Sequence, residues 1–209
     1  MSPGSLDSLY EHLRSSQVLK TKSIKRAFLE NDRADFVPLE LLALAYADRP
    51  LPIFQGQTIS QPATVVIMLE LLKVKTGQTV LDIGSGSGWT SALLAHIVGP
   101  KGQVIATEIN PRLAAFANKN LKKFPYKNIS LYNKDYQDIL ANIPYPDRIL
   151  SSAAFSRAPD VKELTKKLKA PGRFVFPTDE HDLRLIKKMP SGKTRKKIIP
   201  GFAFVPIVH

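Results

Sequence analysis

Two acidic residues hold positions from which they can do chemistry. Asp82 opens the run Asp82-Ile83-Gly84-Ser85-Gly86-Ser87-Gly88, and Glu108 follows 22 residues after Gly86. Glycines at this spacing allow a tight turn and let a ligand approach the backbone with no Cβ in the way. A carboxylate at the end of the next strand is placed to accept hydrogen bonds from ribose hydroxyls. The G-x-G-x-G spacing lacks the third glycine of the dinucleotide fingerprint, and no G-x-x-x-x-G-K-[ST] occurs, so neither a pyrophosphate-binding NAD site nor a P-loop is supported. An acid at the head of the loop suits a ligand with a cationic amino acid portion. S-adenosylmethionine, with its ammonium, sulfonium and ribose diol, matches Asp82 and Glu108 in sign and position. A third acid, Asp135, ends a later strand; there it can accept from an adenine amino group or cap a helix, and the residues alone leave both readings open.

These side chains need elements to hold them. Residues 79–84, 103–109, 129–134, 147–153 and 172–177 are short apolar runs bounded by turn residues and read as buried strands, with helices over 88–98, 111–123 and 160–169 between them. Asn110-Pro111 is a helix start with a capping side chain and proline at the first helical position, and Gly99-Pro100 is a helix stop. Alternation of this kind predicts an α/β fold with a doubly wound, mainly parallel seven-stranded sheet, Rossmann-like. The last two strands are an antiparallel hairpin formed by 183–189 and 202–208. Upstream, 5–17, 22–30 and 38–46 read as helices, 47–60 as a long ordered loop of the kind that is often functional, and 61–74 as an apolar helix with Pro62 in its first turn. The expected organisation is one domain over 1–209, in which 1–75 form a helical extension with a covering loop and 76–209 the cofactor-binding core.

Composition narrows the classes. Hydrophobic residues at 44% and charged residues at 23% exclude a disordered or collagen-like chain. The absence of cysteine excludes disulfides, thiolate zinc sites, iron–sulfur clusters and a cysteine nucleophile, and fits a reducing cytoplasm. His12, His96, His181 and His209 form no metal-ligand spacing, so no metal is expected. With no signal-like start and no long apolar run, a soluble, cytoplasmic protein without membrane contact is expected. The net charge of +12 is uneven: residues 1–100 are neutral, 101–160 carry +4 and 161–200 carry +8. A basic face can attract RNA or an acidic protein. The plainer reading is a solvated helix and hairpin, with Lys193, Arg195, Lys196 and Lys197 on an exposed tip beside Pro190-Ser191-Gly192. That run has no aromatic residue to stack bases, so nucleic acid is not an expected partner.

The segments Ala45-Tyr46-Ala47-Asp48-Arg49-Pro50-Leu51-Pro52-Ile53 and Gly56-Gln57-Thr58-Ile59-Ser60-Gln61-Pro62 add a more specific signal. Together with the glycine loop, Glu108, Leu168-Lys169-Ala170-Pro171-Gly172-Arg173 and Phe204-Val205-Pro206-Ile207, they make the chain resemble the protein-L-isoaspartate O-methyltransferase family from about residue 18 onward. The resemblance implies methyl transfer from S-adenosylmethionine to the α-carboxylate of L-isoaspartyl residues in damaged proteins and peptides. The ester then collapses to a succinimide, which amounts to protein repair. It puts Asp82, Gly84, Ser85, Gly86, Ser87 and Gly88 in the cofactor loop, Glu108 on the ribose and Asp135 on the adenine side. Ser60 falls on the active-site serine, with Gln57, Thr58, Ile59, Ala153 and Ala154 beside the substrate, and the implied state is a monomer. Read without the resemblance, Ser60 caps helix 61–74, a role worth roughly 1 kcal/mol. The chain departs from the family pattern at Lys134-Asp135-Tyr136, at Ala63, at 178–182, and at Phe155 and Arg157. Two alternatives stay open: a methyltransferase of the same fold acting on RNA, and a cofactor-binding protein that has lost catalysis.

Overall fold

The computed structural model describes residues 4–156 and 158–207; Arg157 and His209 lie outside the described residues. A seven-stranded sheet carries the molecule. Its strands are β3 (Thr79–Ile83), β4 (Gln103–Thr107), β5 (Ile129–Tyr132), β6 (Arg148–Ser151), β7 (Gly172–Thr178), β8 (Asp182–Lys188) and β9 (Thr194–Pro200), in the order β5-β4-β3-β6-β7-β8-β9. The first five strands in that order are parallel, and β8 and β9 are antiparallel additions. The two remaining strands, β1 (Leu51–Pro52) and β2 (Thr58–Ile59), make a separate ribbon inside the segment read from sequence as a loop. Two residues per strand is too short for alternation to register.

Strands buried on both faces need apolar side chains on both, and β3, β4 and β6 supply them. Val80, Val104, Leu150, Val175 and Leu185 pack under α1 (Leu6–Ser15), α2 (Lys22–Glu30), α3 (Pro62–Leu72) and α4 (Trp89–Val98). On the opposite face Leu81, Ile105, Ile149, Phe174 and Phe176 meet α6 (Tyr136–Leu140) and α7 (Ala158–Lys167). Helix α5 (Pro111–Leu121) starts as expected at Asn110, whose Oδ1 accepts from the N–H groups of Arg112 and Leu113. Helix α4 stops at Gly99.

Several expectations change. The segment 38–46 is a 3-10 helix over Leu39–Leu44, preceded by another over Arg33–Phe36; neither has the buried stripe that sustains a longer α-helix, and the first has no buried residue. The helix α6, five residues long, was not expected. The hairpin pairs β8 with 194–200, not with 202–207, and Val208 lies outside the described residues. Apolar content misdirected that reading: β9 is an edge strand with one neighbour, so it stays polar and largely exposed, as protected edges do. The basic run 193–197 is therefore mostly strand, not loop tip. The apolar residues 202–207 instead cross the carboxyl end of the sheet, where Ala154 and Pro206 form an isolated bridge. Among the described residues no helix is long and apolar enough to cross a membrane.

Candidate functional site

The chain runs outward from β3 through β4 to β5, then returns to lay β6 beside β3. Sheets of this type bind ligands where the order reverses, outside the carboxyl ends of the strands. At that point the glycine loop leaves β3, with Gly84, Gly86 and Gly88 at φ of 74°, 55° and 89°. The N–H groups of Gly84 and Ser85 both donate to the Thr107 carbonyl at 2.9 Å, which ties the loop to β4. Gly88 also tolerates no side chain, since a Cβ would stand 3.2 Å from Leu121 and 3.3 Å from Ala117 on α5. Only glycine meets both demands.

Glu108 follows β4 and is buried. Its Oε2 accepts from Gly86 N–H at 2.9 Å and its Oε1 from Asn110 N–H at 3.0 Å. Burial raises its pKa while these backbone donors pull the other way. The carboxylate therefore faces, in a fixed orientation, a cavity of about 280 Å³ whose wall also includes Gly84, Gly86, Asp135, Gln57, Thr58 and Ala153. Asp135 lines the cavity and caps α6, its Oδ1 accepting from Gln137 N–H at 2.9 Å. Across the cavity, Gln55 at the tip of the β1–β2 ribbon accepts from the Asn110 amide. Gln55 and Gly56 both have positive φ, 52° and 72°, as a two-residue hairpin tip of this twist requires.

Asp82 has no exposed surface. Its Oδ2 accepts from the Ser91 hydroxyl at 2.6 Å and its Oδ1 has no hydrogen-bond partner. Burial lifts its pKa to about 6, with the Ser91 hydrogen bond opposing and Glu108 adding a like charge. Ser85 and Ser87 are buried in the same loop, the Ser85 hydroxyl also lacking a partner. Asp82, Ser85, Ser87 and Gly88 thus form the base of the loop, with Gly84 and Gly86 presented to the cavity. Two buried carboxylates, each with its proton affinity raised by burial, an orphaned acceptor and a cradle without side chains fit a cationic ligand that also carries a diol.

A second cavity, of about 730 Å³, abuts the first; Thr58, Ser152, Val205 and Pro206 line both. Ser60, half-buried, belongs to its wall together with Ala63, Thr64 and Phe204. Ile59 and Ala154 are buried behind these surfaces. Ser60 does not cap α3: the N-cap is Gln61, and the Ala63 N–H is accepted by Asp48 Oδ1 at 2.9 Å.

Sequence reasoning missed Asp48 in this role and, more seriously, Arg33. The Arg33 guanidinium is wholly buried and donates to the carbonyls of Ala45 (2.7 Å), Ala47 (3.2 Å), Arg49 (3.0 Å) and Ser60 (3.0 Å), while lying 5.6 Å over the Trp89 ring. Burial lowers its pKa to about 10, so it stays charged at neutral pH. One side chain thereby gathers the segment 45–60 and seats it against the start of α4. Its only advance signal is an arginine ahead of a proline-rich loop. Among the described residues no group of three or more His, Cys, Asp or Glu side chains is placed to hold a metal ion.

Comparison with known proteins agrees with this geometry. Residues 5–209 match the profile of the family described as protein-L-isoaspartate(D-aspartate) O-methyltransferase. A protein-L-isoaspartate O-methyltransferase of Methanopyrus kandleri is 41% identical over 97% of this chain and 90% of its own, and one of Aeropyrum pernix is 39% identical over 96% and 78%. Among solved structures, a Plasmodium falciparum protein described as a protein-L-isoaspartate O-methyltransferase, in complex with S-adenosyl-L-homocysteine, superposes with a TM-score of 0.86 at 25% identity, covering 98% of both chains.

Proposed function

We propose a division of labour among these residues from one premise: the chain belongs to the protein-L-isoaspartate(D-aspartate) O-methyltransferase family and is an S-adenosylmethionine-dependent enzyme that methylates isoaspartyl residues in protein repair. When bound, S-adenosylmethionine supplies a methyl group on a sulfonium, an electrophile with a good leaving group. Glu108 would hold the ribose hydroxyls, and the Gly84–Gly86 backbone, with the buried charge of Asp82 beneath it, would receive the cationic amino acid end. Ser85, Ser87 and Gly88 keep the loop in shape, and Asp135 stands at the adenine end.

The acceptor is the α-carboxylate of the isoaspartyl residue. A carboxylate is ionised at neutral pH and requires no general base, so what the chain contributes is orientation and exclusion of water. Ser60 donates a hydrogen bond that orients this carboxylate, while Gln57, Thr58, Ile59, Ala153 and Ala154 shape the passage around it. The observation that carries this reading is the pair of abutting cavities, one faced by Glu108 and the other by Ser60, joined along Thr58 and Ser152. An acceptor in the second cavity would meet a cofactor in the first at that junction. We read the whole chain as one unit, residues 1–75 covering and 76–209 binding the cofactor, acting as a monomer; the cysteine-free composition supports a cytoplasmic setting.

The test is radiolabelled methyl transfer to matched peptides that differ only in isoaspartate against aspartate, with Glu108→Ala as control. Selective labelling of the isoaspartyl peptide, lost in the variant, is the expected result. Equal labelling of both peptides would overturn the substrate assignment, and retained labelling in Glu108→Ala would move the ribose elsewhere.

A further inference from the structure

We propose that the opposite, amino-terminal edge of the same sheet carries an anion site that takes a short chain of linked phosphates. Four cations stand in one register row across four adjacent strands: Arg148 on β6 pairs with Arg173 on β7, Arg173 with Lys187 on β8, and Lys187 with Arg195 on β9. Register partners point to the same face of a sheet, and all four line one cavity of about 500 Å³. Lys197, two residues beyond Arg195 and so on the same face, lines it too. Three inter-strand steps of about 4.8 Å give the row a length of about 14 Å, enough for several phosphate groups in line.

Like charges directly opposite one another destabilise a sheet, so the row is costly unless something negative meets it. Arg148 is buried and Arg173 half-buried, and each is desolvated, Arg173 further lowering the pKa of Arg148. Carbonyls at the end of α3 hold them in position: Arg173 donates to Leu71 O at 2.6 Å and Arg148 to Lys73 O at 3.3 Å. Asp147 offsets part of the charge of Arg148 and is also engaged by the Thr79 N–H and by Lys169, which leaves Arg173, Lys187 and Arg195 without an acid in an ion pair among the described residues. Among the described residues none of the four row cations is in a salt bridge. Lys188, at the cavity rim, is spent on the final carbonyls of α7.

A charged edge strand is a common protection against edge-to-edge pairing and accounts for Arg195 and Lys197. Arg148 and Arg173, on interior strands, tie the end of α3 to the sheet, and neither role accounts for Lys187, on an interior strand and in register between Arg173 and Arg195. Three of the four positions are arginine, whose planar fork matches phosphate oxygens. An extended acidic peptide presents carboxylates on one face only every ~6.7 Å, out of step with a row spaced at about 4.8 Å. No aromatic residue lines the cavity, so nothing there stacks a base. The phosphate chain is what is recognised.

Titration of the full chain with tripolyphosphate at low salt, followed by calorimetry, tests the site. Saturable binding is expected, weakened at least tenfold in Lys187→Gln/Arg195→Gln and steeply reduced by added salt. Affinity for S-adenosylmethionine should stay the same, because both residues lie at the far edge of the sheet from the cofactor cavity. Lys187 is half-buried and Arg195 exposed, and Arg195→Gln alone, expected to weaken binding at least threefold, covers the case in which the double variant loses its fold. Undiminished binding in these variants would overturn the proposal. So would a single-stranded RNA or a poly-glutamate peptide that binds here and is not displaced by tripolyphosphate.

Discussion

The glycine loop and the segment 45–60 face the same crevice and are held there by different means. The loop is organised by its immediate neighbours: Thr107 O and Glu108, on the adjacent strand end, take the N–H groups of Gly84, Ser85 and Gly86. The segment 45–60 has only a ribbon of two-residue strands of its own and depends on Arg33 and Asp48 for its shape. The side proposed to hold the cofactor is thus built from local order within a βαβ unit, and the side proposed to face the substrate from one buried cation that reaches four carbonyls. Trp89 couples them, since it begins α4 directly after the loop, donates to Asn31 O at 2.9 Å and lies under the Arg33 guanidinium. Beyond such contacts the two halves rest on different groups, so one can change with limited effect on the other.

The largest separation of the halves should come from Arg33→Met, which takes the guanidinium donors from the carbonyls of Ala45, Ala47, Arg49 and Ser60, only that of Ala47 being seen to keep a second donor, the Arg49 N–H. A loss of about 3 kcal/mol in unfolding free energy is expected by denaturant titration. In the protein that remains folded, KM for an isoaspartyl peptide should rise more than the cofactor dissociation constant; equal changes in both would mean that the halves are not independent. Next in size, Glu108→Ala should weaken cofactor binding by about 2 kcal/mol, or roughly thirtyfold by calorimetry, with the peptide-facing segment intact by hydrogen exchange. Smaller again, Ser60→Ala should lower kcat about tenfold, close to one hydrogen bond to a charged group. Because Gln61 and Asp48 cap α3, its melting temperature should stay near that of the parent chain; a clear drop would restore the capping role.

A separate effect, on stability and not on the two halves, is a slope in pH. Asp82 has a pKa of about 6 in the folded protein against an unfolded value near 3.8. The folded state therefore holds the proton more tightly, and this contribution to stability, complete below about pH 4, is lost as pH rises through about 6. Glu108, also raised by burial, acts in the same direction. Thermal melts of the ligand-free protein should show this decline, and Asp82→Asn should flatten it. A bound cationic cofactor favours both carboxylates in ionised form, so its affinity should rise over the same interval.

Much of the fold was legible because its signals are local. Helix α2 over 22–30 and the start of α5 at Asn110-Pro111 follow from residues within a turn of each other, and the five parallel strands from short apolar runs between turns. Legibility failed where burial is decided by distant partners. The apolar run 202–208 was read as a strand; its described residues, 202–207, instead cross the cavities, while a lysine-rich run became β9 because an edge strand needs only one neighbour. Ser60 was read locally as a cap, but the acceptor for the first turn of α3 comes from Asp48, fifteen residues away.

The amino-acid sequence by itself determined that a glycine loop would leave a buried strand with acids at Asp82 and Glu108, because turn, strand and spacing are properties of neighbouring residues. It also determined the excess of positive charge near the C-terminus. Only the tertiary structure decided that Asp82 lies beneath the loop while Glu108 faces the cavity, that Arg33 holds the segment bearing Ser60, and that Arg148, Arg173, Lys187 and Arg195 align in one row. These depend on strand order, register and burial, which arise when segments far apart in the chain are brought within hydrogen-bonding distance and water is removed from between them.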